Sequence, residues 1–119
     1  MIFDDVVKEA VEKVEGGLAA LLMGLDGISL SNYVKAGANL EMEVIGVEYA
    51  TLLGEIRKTN EIMETGKVKE ICVSTDKFAI IVRSITPDYF IALALTPNGN
   101  IGKGRFLLRV NAPRLQKEF

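Results

Sequence analysis

The stretch from Leu40 to Met63 constrains the fold most, because apolar side chains recur along it at helical spacing for several turns. Asn39 stands just before it as a candidate N-cap, and Glu41 and Glu43 fall in its first turn, where the helix dipole favours negative charge. Gly66 follows as a stop signal. The sequence therefore predicts one long helix in the middle of the chain.

This helix carries two apolar stripes on roughly opposite sides. The first comprises Ile45, Tyr49, Leu52, Ile56 and Met63, with Leu53 beside it. The second comprises Leu40, Val44, Val47, Ala50 and Gly54. One stripe is enough to pack the helix on its own sheet, so the second predicts a protein–protein interface, with a second copy of the chain as the expected partner. Gly54 would allow a close backbone approach there. The alternative is that another element of the same chain covers the second stripe.

The rest of the chain divides into shorter segments. Helical spacing covers Phe3 to Val14, and Gly16-Gly17 ends that segment. Apolar or alternating runs predict strands at 18–23, 28–31, 68–74, 78–85 and 89–95. Asp26-Gly27 predicts a tight turn that joins the first two strands into a hairpin. A last helix begins near Ile101, and Pro113 predicts a kink or a fresh turn within it.

The order of these elements is helix, two strands, helix, three strands, helix. Connections of hairpin length make the strands mainly antiparallel. Three helices must cover a five-stranded sheet whose inner strands are apolar on both faces. The sequence therefore predicts a single domain over residues 1–119 with an α+β fold, a sheet sandwiched by helices on both faces.

The predicted third strand raises a question about its outer edge. If it is an edge strand, its unpaired backbone groups offer a template for another strand. Two interpretations of the charged residues Lys67, Lys69 and Glu70 stay open. They face solvent and block strand pairing, or they belong to an edge that pairs with a second copy in a dimer. Cys72, the single cysteine, cannot form an internal disulfide and is predicted to be a small buried apolar residue.

Motifs that carry chemistry are largely missing. The chain has no histidine, which excludes Ser-His-Asp and Cys-His catalysis and histidine metal sites. Gly102-Lys103-Gly104 lacks the Ser or Thr and the earlier glycine that a nucleotide-binding P-loop needs. Arg105, Arg109 and Arg114 could supply an arginine finger to a GTPase, but a solvated helix face is the favoured interpretation. We therefore predict no catalytic residues, no metal and no cofactor.

Charge and hydropathy narrow the partners and the compartment. The formal net charge is -2, so the chain lacks the basic footprint of a nucleic-acid-binding protein. The first residues carry acidic side chains where a signal peptide would have basic ones. The longest apolar run, Leu18 to Met23, is far shorter than the roughly 20 residues of a membrane helix. These features predict a cytoplasmic protein with no membrane insertion.

Three stretches of the chain resemble the Roadblock (dynein light-chain) family, which includes the bacterial MglB-type regulators. Residues 17–28 (GLAALLMGLDGI) look like the family's first strand, Asp-Gly turn and second strand. Residues 66–73 (GKVKEICV) are similar to its third strand, and residues 100–109 (NIGKGRFLLR) to the start of its last helix. The element order also matches across nearly the whole chain.

The resemblance implies a profilin-like fold with sheet order 2-1-5-4-3, and homodimers joined through the third strand and the second helix. It also implies a Ras-like small GTPase as partner and no enzymatic activity of the chain itself. The implied dimer residues are Leu40, Val44, Val47, Ala50, Gly54, Val68, Glu70, Ile71, Cys72 and Val73. The implied GTPase-binding residues are Leu40, Val44, Val47, Thr51 and Lys58, because the second helices of MglB-type dimers help to form the GTPase-facing surface.

Three functions stay open from the sequence. The first is a homodimeric regulator or scaffold that binds a Mgl-type GTPase and modulates its nucleotide cycle. The second is a structural adaptor of a motor or signalling complex that does not touch a GTPase. The third is a small-molecule sensor or enzyme on a profilin-like sandwich, which would require a concave polar pocket that the sequence does not reveal.

Overall fold

The computed structural model describes residues 2–119, in which three helices and five strands follow the predicted order. Along the chain they are α1 (Ile2–Glu12), β1 (Gly17–Gly24), β2 (Ser29–Val34), α2 (Met42–Met63), β3 (Glu70–Ser74), β4 (Ala79–Ser84), β5 (Tyr89–Leu95) and α3 (Ile101–Gln116). The strands form one antiparallel sheet in the order β2-β1-β5-β4-β3. The α+β fold and the sheet order implied by the family resemblance are therefore confirmed. β2 and β3 are the two edges of the sheet.

The sheet is covered on both faces, which explains why its central strands are apolar throughout. β1 and β5 are buried along almost their whole length. On one face, α1 and α3 pack against the alternate residues Ala20, Leu22, Ile81, Ile91 and Leu93. On the other face, α2 packs against the intervening positions Ala19, Leu21, Ile80, Val82 and Ala92. We call the two layers the α1/α3 face and the α2 face.

The packing of α2 corrects the predicted stripes. Its buried residues are Met42, Gly46, Ala50 and Leu53, a row that runs between the two stripes inferred from the sequence. Ala50, a residue of the second predicted stripe, is only 5% exposed and belongs to the α2-face core. The two stripes are thus the two flanks of one broad buried face. Each is partly exposed, the first at Leu52 and Met63 and the second at Val44 and Val47.

Two local predictions are wrong, and one of two alternatives is removed from a third. Asn39 does not cap α2, because Leu40 packs against the α2-face core and the helix begins only at Met42. β2 continues beyond the predicted Ser31 to Val34, held to α1 by hydrogen bonds such as that from the Tyr33 hydroxyl to Glu12 at 2.7 Å. No fresh turn begins at Pro113, since α3 runs through it as one helix, and the alternative, a kink, stays a prediction.

Two glycines of α2 differ sharply in their surroundings. A Cβ atom on Gly46 would lie 2.3 Å from Leu21 Cδ2, whereas one on Gly54 would have no atom within 4 Å. Gly46 therefore provides the close approach between helix and sheet. The close approach predicted at Gly54, to a partner on the second stripe, stays a prediction.

We expect Gly54→Ala to raise the free energy of unfolding by about 0.8 kcal/mol, because alanine favours the helix and meets nothing in the protomer. Gly46→Ala is the contrast, and we expect it to lower the free energy by about 1 kcal/mol through overpacking against a fully buried leucine. Urea denaturation followed by circular dichroism measures both. Changes of the same sign in the two variants would contradict this packing.

Candidate protein-interaction surface

β3 presents an open backbone edge. The Ser84 N–H donates to the Lys69 carbonyl at 3.0 Å, and the Thr75 N–H donates to the Phe78 carbonyl at 2.9 Å. Together with the register, these bonds mean that residues 69, 71, 73 and 75 pair inward with β4. The N–H and C=O groups of Glu70, Cys72 and Ser74 consequently point away from the sheet, where another strand could pair with them.

The side chains of β3 divide between the two faces. Ile71, with Val68 just before the strand, packs partly against the α2-face core, and Val73 is half-buried. Cys72 points to the other face and is exposed. The prediction that Cys72 is buried is therefore wrong, because an edge position beyond the cover of the helices is not visible in the local pattern.

Glu70 is held by its own protomer. Its carboxylate accepts hydrogen bonds from Arg105 of α3 and from Arg83 of β4, the latter at 3.5 Å. The Glu70 and Arg83 side chains are both only 17% exposed. The hydrogen bond to Glu70, followed by the attraction of its charge, raises the pKa of the Arg105 guanidinium. Glu70 therefore braces the edge strand against α3, while Lys67 and Lys69 remain exposed.

The outer flank of α2, on which Val44 and Val47 lie, is a second surface that the fold leaves uncovered, after the edge of β3. Val44 is 57% and Val47 44% exposed. Val47 lies beside the β1–β2 turn, since a Cβ on Gly27 would be 3.5 Å from Val47 Cγ2. Ile28 of that turn is 63% exposed, so it extends the apolar surface. An apolar surface of this kind is typical of a protein-binding site.

The other predicted interaction residues of α2 fall around this flank. Thr51 is exposed and donates its hydroxyl to the Val47 carbonyl at 3.3 Å. Lys58 is exposed and pairs with Glu55 at 3.8 Å. Leu40 and Ala50 are instead turned towards the core, and Gly54 is half-buried. The structure thus brings Val44, Val47 and Thr51 together and leaves Leu40 and Ala50 out of the surface.

Three arginines of α3 have local partners. Arg105 binds Glu70, Arg114 donates to Asn111 Oδ1 at 2.6 Å, and the Arg109 guanidinium carbon lies 5.6 Å from the centre of the Phe106 ring. The helix start matches its prediction, because Asn100 Oδ1 accepts the Lys103 N–H at 3.0 Å. Gly104 provides the predicted close helix–sheet packing, since its Cβ would lie 3.0 Å from Ile81 Cδ1.

Sequence reasoning missed a groove of about 860 Å³ at the end of the sheet, between the C-terminal halves of α2 and α3. The side chains that line it come from several elements that are distant in sequence, so no local motif announces it. Five of them are basic: Arg57, Lys67, Lys69, Arg83 and Arg109. A concave site with cationic side chains at its rim does therefore exist in this fold.

Two absences within residues 2–119 bear on the kind of site. Within that range, no three Cys, Asp or Glu side chains converge where they could hold a metal ion. No helix of the described chain is both long and apolar enough to cross a membrane. The surfaces of interest are therefore the β3 edge, the outer flank of α2 and the groove.

Fold and surfaces together define a small α+β interaction domain with an open sheet edge. No protein-family model matches the sequence, and no curated protein matches it either. Among solved structures, MglC from Myxococcus xanthus is 42% identical over 100% of both chains, with a TM-score of 0.71. That identity over the full length shows that the chain belongs to the Roadblock/LC7 family, in a group with MglC.

More distant structures share the fold. A Roadblock/LC7 domain from Streptomyces avermitilis has a TM-score of 0.85 at 14% identity, over 97% of this chain and 95% of that one. The gliding protein MglB from Thermus thermophilus has a TM-score of 0.83 at 14% identity, over 95% and 84% respectively. The family resemblance read from the sequence is confirmed, and the shared architecture is the profilin-like Roadblock sandwich.

Proposed function

We propose that this protein is a cytoplasmic regulatory or scaffold module of a Mgl-type system, which forms a homodimer and docks a Ras-like small GTPase to modulate its nucleotide cycle. The full-length similarity to MglC carries the proposal, because a relative with 42% identity over both whole chains is itself a Mgl protein. The open β3 edge and the exposed apolar flank of α2 support it, since a protomer alone leaves both unpartnered.

The homodimer would form by antiparallel pairing of β3 with β3 of a second copy. A register centred on Cys72 uses every outward backbone group of the strand, because Glu70 then opposes Ser74 of the other copy. Like charges do not face each other in this register, and the two sheets become one. Ile71, Val73 and Val68 would bring half-buried apolar side chains to the same junction.

The GTPase would dock on the outer flank of α2. Val44 and Val47 supply exposed apolar surface, while Thr51 and Lys58 supply a polar rim. The chain contains no histidine. In this proposal, the effect on hydrolysis or release comes from rearranging the catalytic groups of the GTPase.

We expect Val47→Asp to abolish co-elution with a cognate Mgl-type GTPase and to remove the effect on its nucleotide cycle, because a charge would be desolvated in the interface. Size-exclusion chromatography and single-turnover GTP hydrolysis or nucleotide release measure these effects. Val110→Asp is a matched control, since Val110 has the same 44% exposure but lies on α3, across the sheet.

The wild-type protein and Val110→Asp should behave alike in both assays. Wild-type protein that neither co-elutes with any cognate GTPase nor changes its hydrolysis or release would refute the regulatory role and favour the structural adaptor. Loss of binding in Val47→Asp and Val110→Asp alike would refute the assignment of the site to α2.

A further inference from the structure

The groove at the end of the sheet is lined by residues from both sides of the molecule. Asn60, Glu61 and Glu64 come from α2, and Ala112, Pro113 and Gln116 come from α3. Residues 66–69, which come just before β3, and the β4–β5 turn form the rest of its wall. Its floor includes apolar side chains such as Val68 and Ile85, so it combines an apolar base with a charged rim.

The positive charge of this groove is largely uncompensated. Across residues 2–119, Arg57, Lys67, Lys69 and Arg109 have no carboxylate within 4.0 Å. Arg57 instead donates to the Pro87 carbonyl and, at 3.3 Å, to Ser84 Oγ, which holds its guanidinium in the groove. Five cations against Glu61 and Glu64 leave a net positive lining, although the whole chain has a net charge of -2.

Arg83 differs from the other four cations of the groove, because it pairs with Glu70 at 3.5 Å and its side chain is only 17% exposed. Lys67, Lys69 and Arg109 are exposed, so their N–H groups are open to a ligand. The groove therefore offers donors for carboxylates.

We infer that this groove binds an acidic peptide segment of a partner protein. The cations suit carboxylates, and the apolar floor suits the aliphatic side chains between them. An inorganic anion would satisfy only the first of these two features.

The inference is independent of the proposed dimer and GTPase site. All lining residues belong to one protomer, and among the predicted dimer residues only Val68 lines the groove. The test accordingly uses the isolated protein without a GTPase, and it records the molecular mass of each variant in parallel.

The experiment measures binding of a short synthetic peptide of alternating glutamate and leucine by isothermal titration calorimetry, with amide NMR shifts to locate it. A peptide with glutamine in place of glutamate, inorganic phosphate and ATP are the comparison ligands. The groove variant is Lys67→Glu/Lys69→Glu/Arg109→Glu. The matched control is Lys8→Glu/Lys35→Glu/Lys77→Glu, three exposed cations outside the groove with the same total change of charge.

We expect the glutamate peptide to shift amides of the groove, and the groove variant to bind it at least about tenfold more weakly than the control variant. The glutamine peptide should bind the wild-type protein no more tightly than the glutamate peptide binds the groove variant. The inference is overturned by any of three results: no binding of the glutamate peptide, equal weakening in the two triple variants, or binding of phosphate or ATP as tight as that of the peptide.

Discussion

Replacing Cys72 with proline is expected to separate the proposed dimer into monomers while leaving each protomer folded. Proline lacks an N–H, and the N–H of residue 72 points outward, so the bonds between β3 and β4 are kept. In the proposed dimer each copy loses a central bond, and the ring obstructs the facing strand. We expect self-association to weaken by at least about 100-fold, which sedimentation velocity measures directly.

Asn32→Pro is the matched control for this experiment. Asn32 lies on β2, the other edge, and its N–H also points outward, because the Lys35 N–H donates to the Leu18 carbonyl and the register alternates from there. We expect Asn32→Pro to remain a dimer. A Cys72→Pro protein that stays dimeric, or an Asn32→Pro protein that becomes monomeric, would contradict an interface at β3.

The second large effect is expected at the junction of α1 and β1. We expect Gly17→Ala to lower the free energy of unfolding by about 3 kcal/mol, because its Cβ would lie 2.3 Å from the Val11 carbonyl oxygen. That oxygen belongs to the helix backbone and cannot move without displacing α1. Beside it, Gly16 has a φ of 86° and lies against Gly99, so the loop before α3 is affected as well.

Urea denaturation at one fixed protein concentration measures the loss, with Gly102→Ala as the control. A Cβ on Gly102 would meet only Asn100 Oδ1 at 3.8 Å, so that variant should be at least as stable as the wild type. Equal unfolding midpoints for Gly17→Ala and the wild type would show that α1 can shift freely, contrary to this packing.

The sequence predicted the elements well, because periodicity and turn residues are local properties. Asp26-Gly27, the glycines after α1 and the cap at Asn100 each act within a few residues, and they set the order of helices and strands. The sheet order required the family resemblance, since hairpin connections alone do not decide which strands become edges. The comparisons with solved structures confirm that resemblance.

The errors share a physical cause, because they depend on which surfaces meet after folding. The pattern of α2 marks its apolar residues but not which row faces the sheet, and the small Gly46 and Ala50 form the closest contact. Cys72 looked like a core residue because its edge position follows from the whole sheet. The groove is equally invisible in the sequence, since α2, α3 and the β4–β5 turn meet there only in three dimensions.

The mass of the wild-type protein in solution, measured by sedimentation equilibrium at micromolar concentration, decides whether two copies cover each other's open strand. We predict a dimer of twice the 13.0 kDa chain mass. A single species at the mass of one chain would contradict it, because the exposed edge and the apolar flank of α2 would then need no second copy.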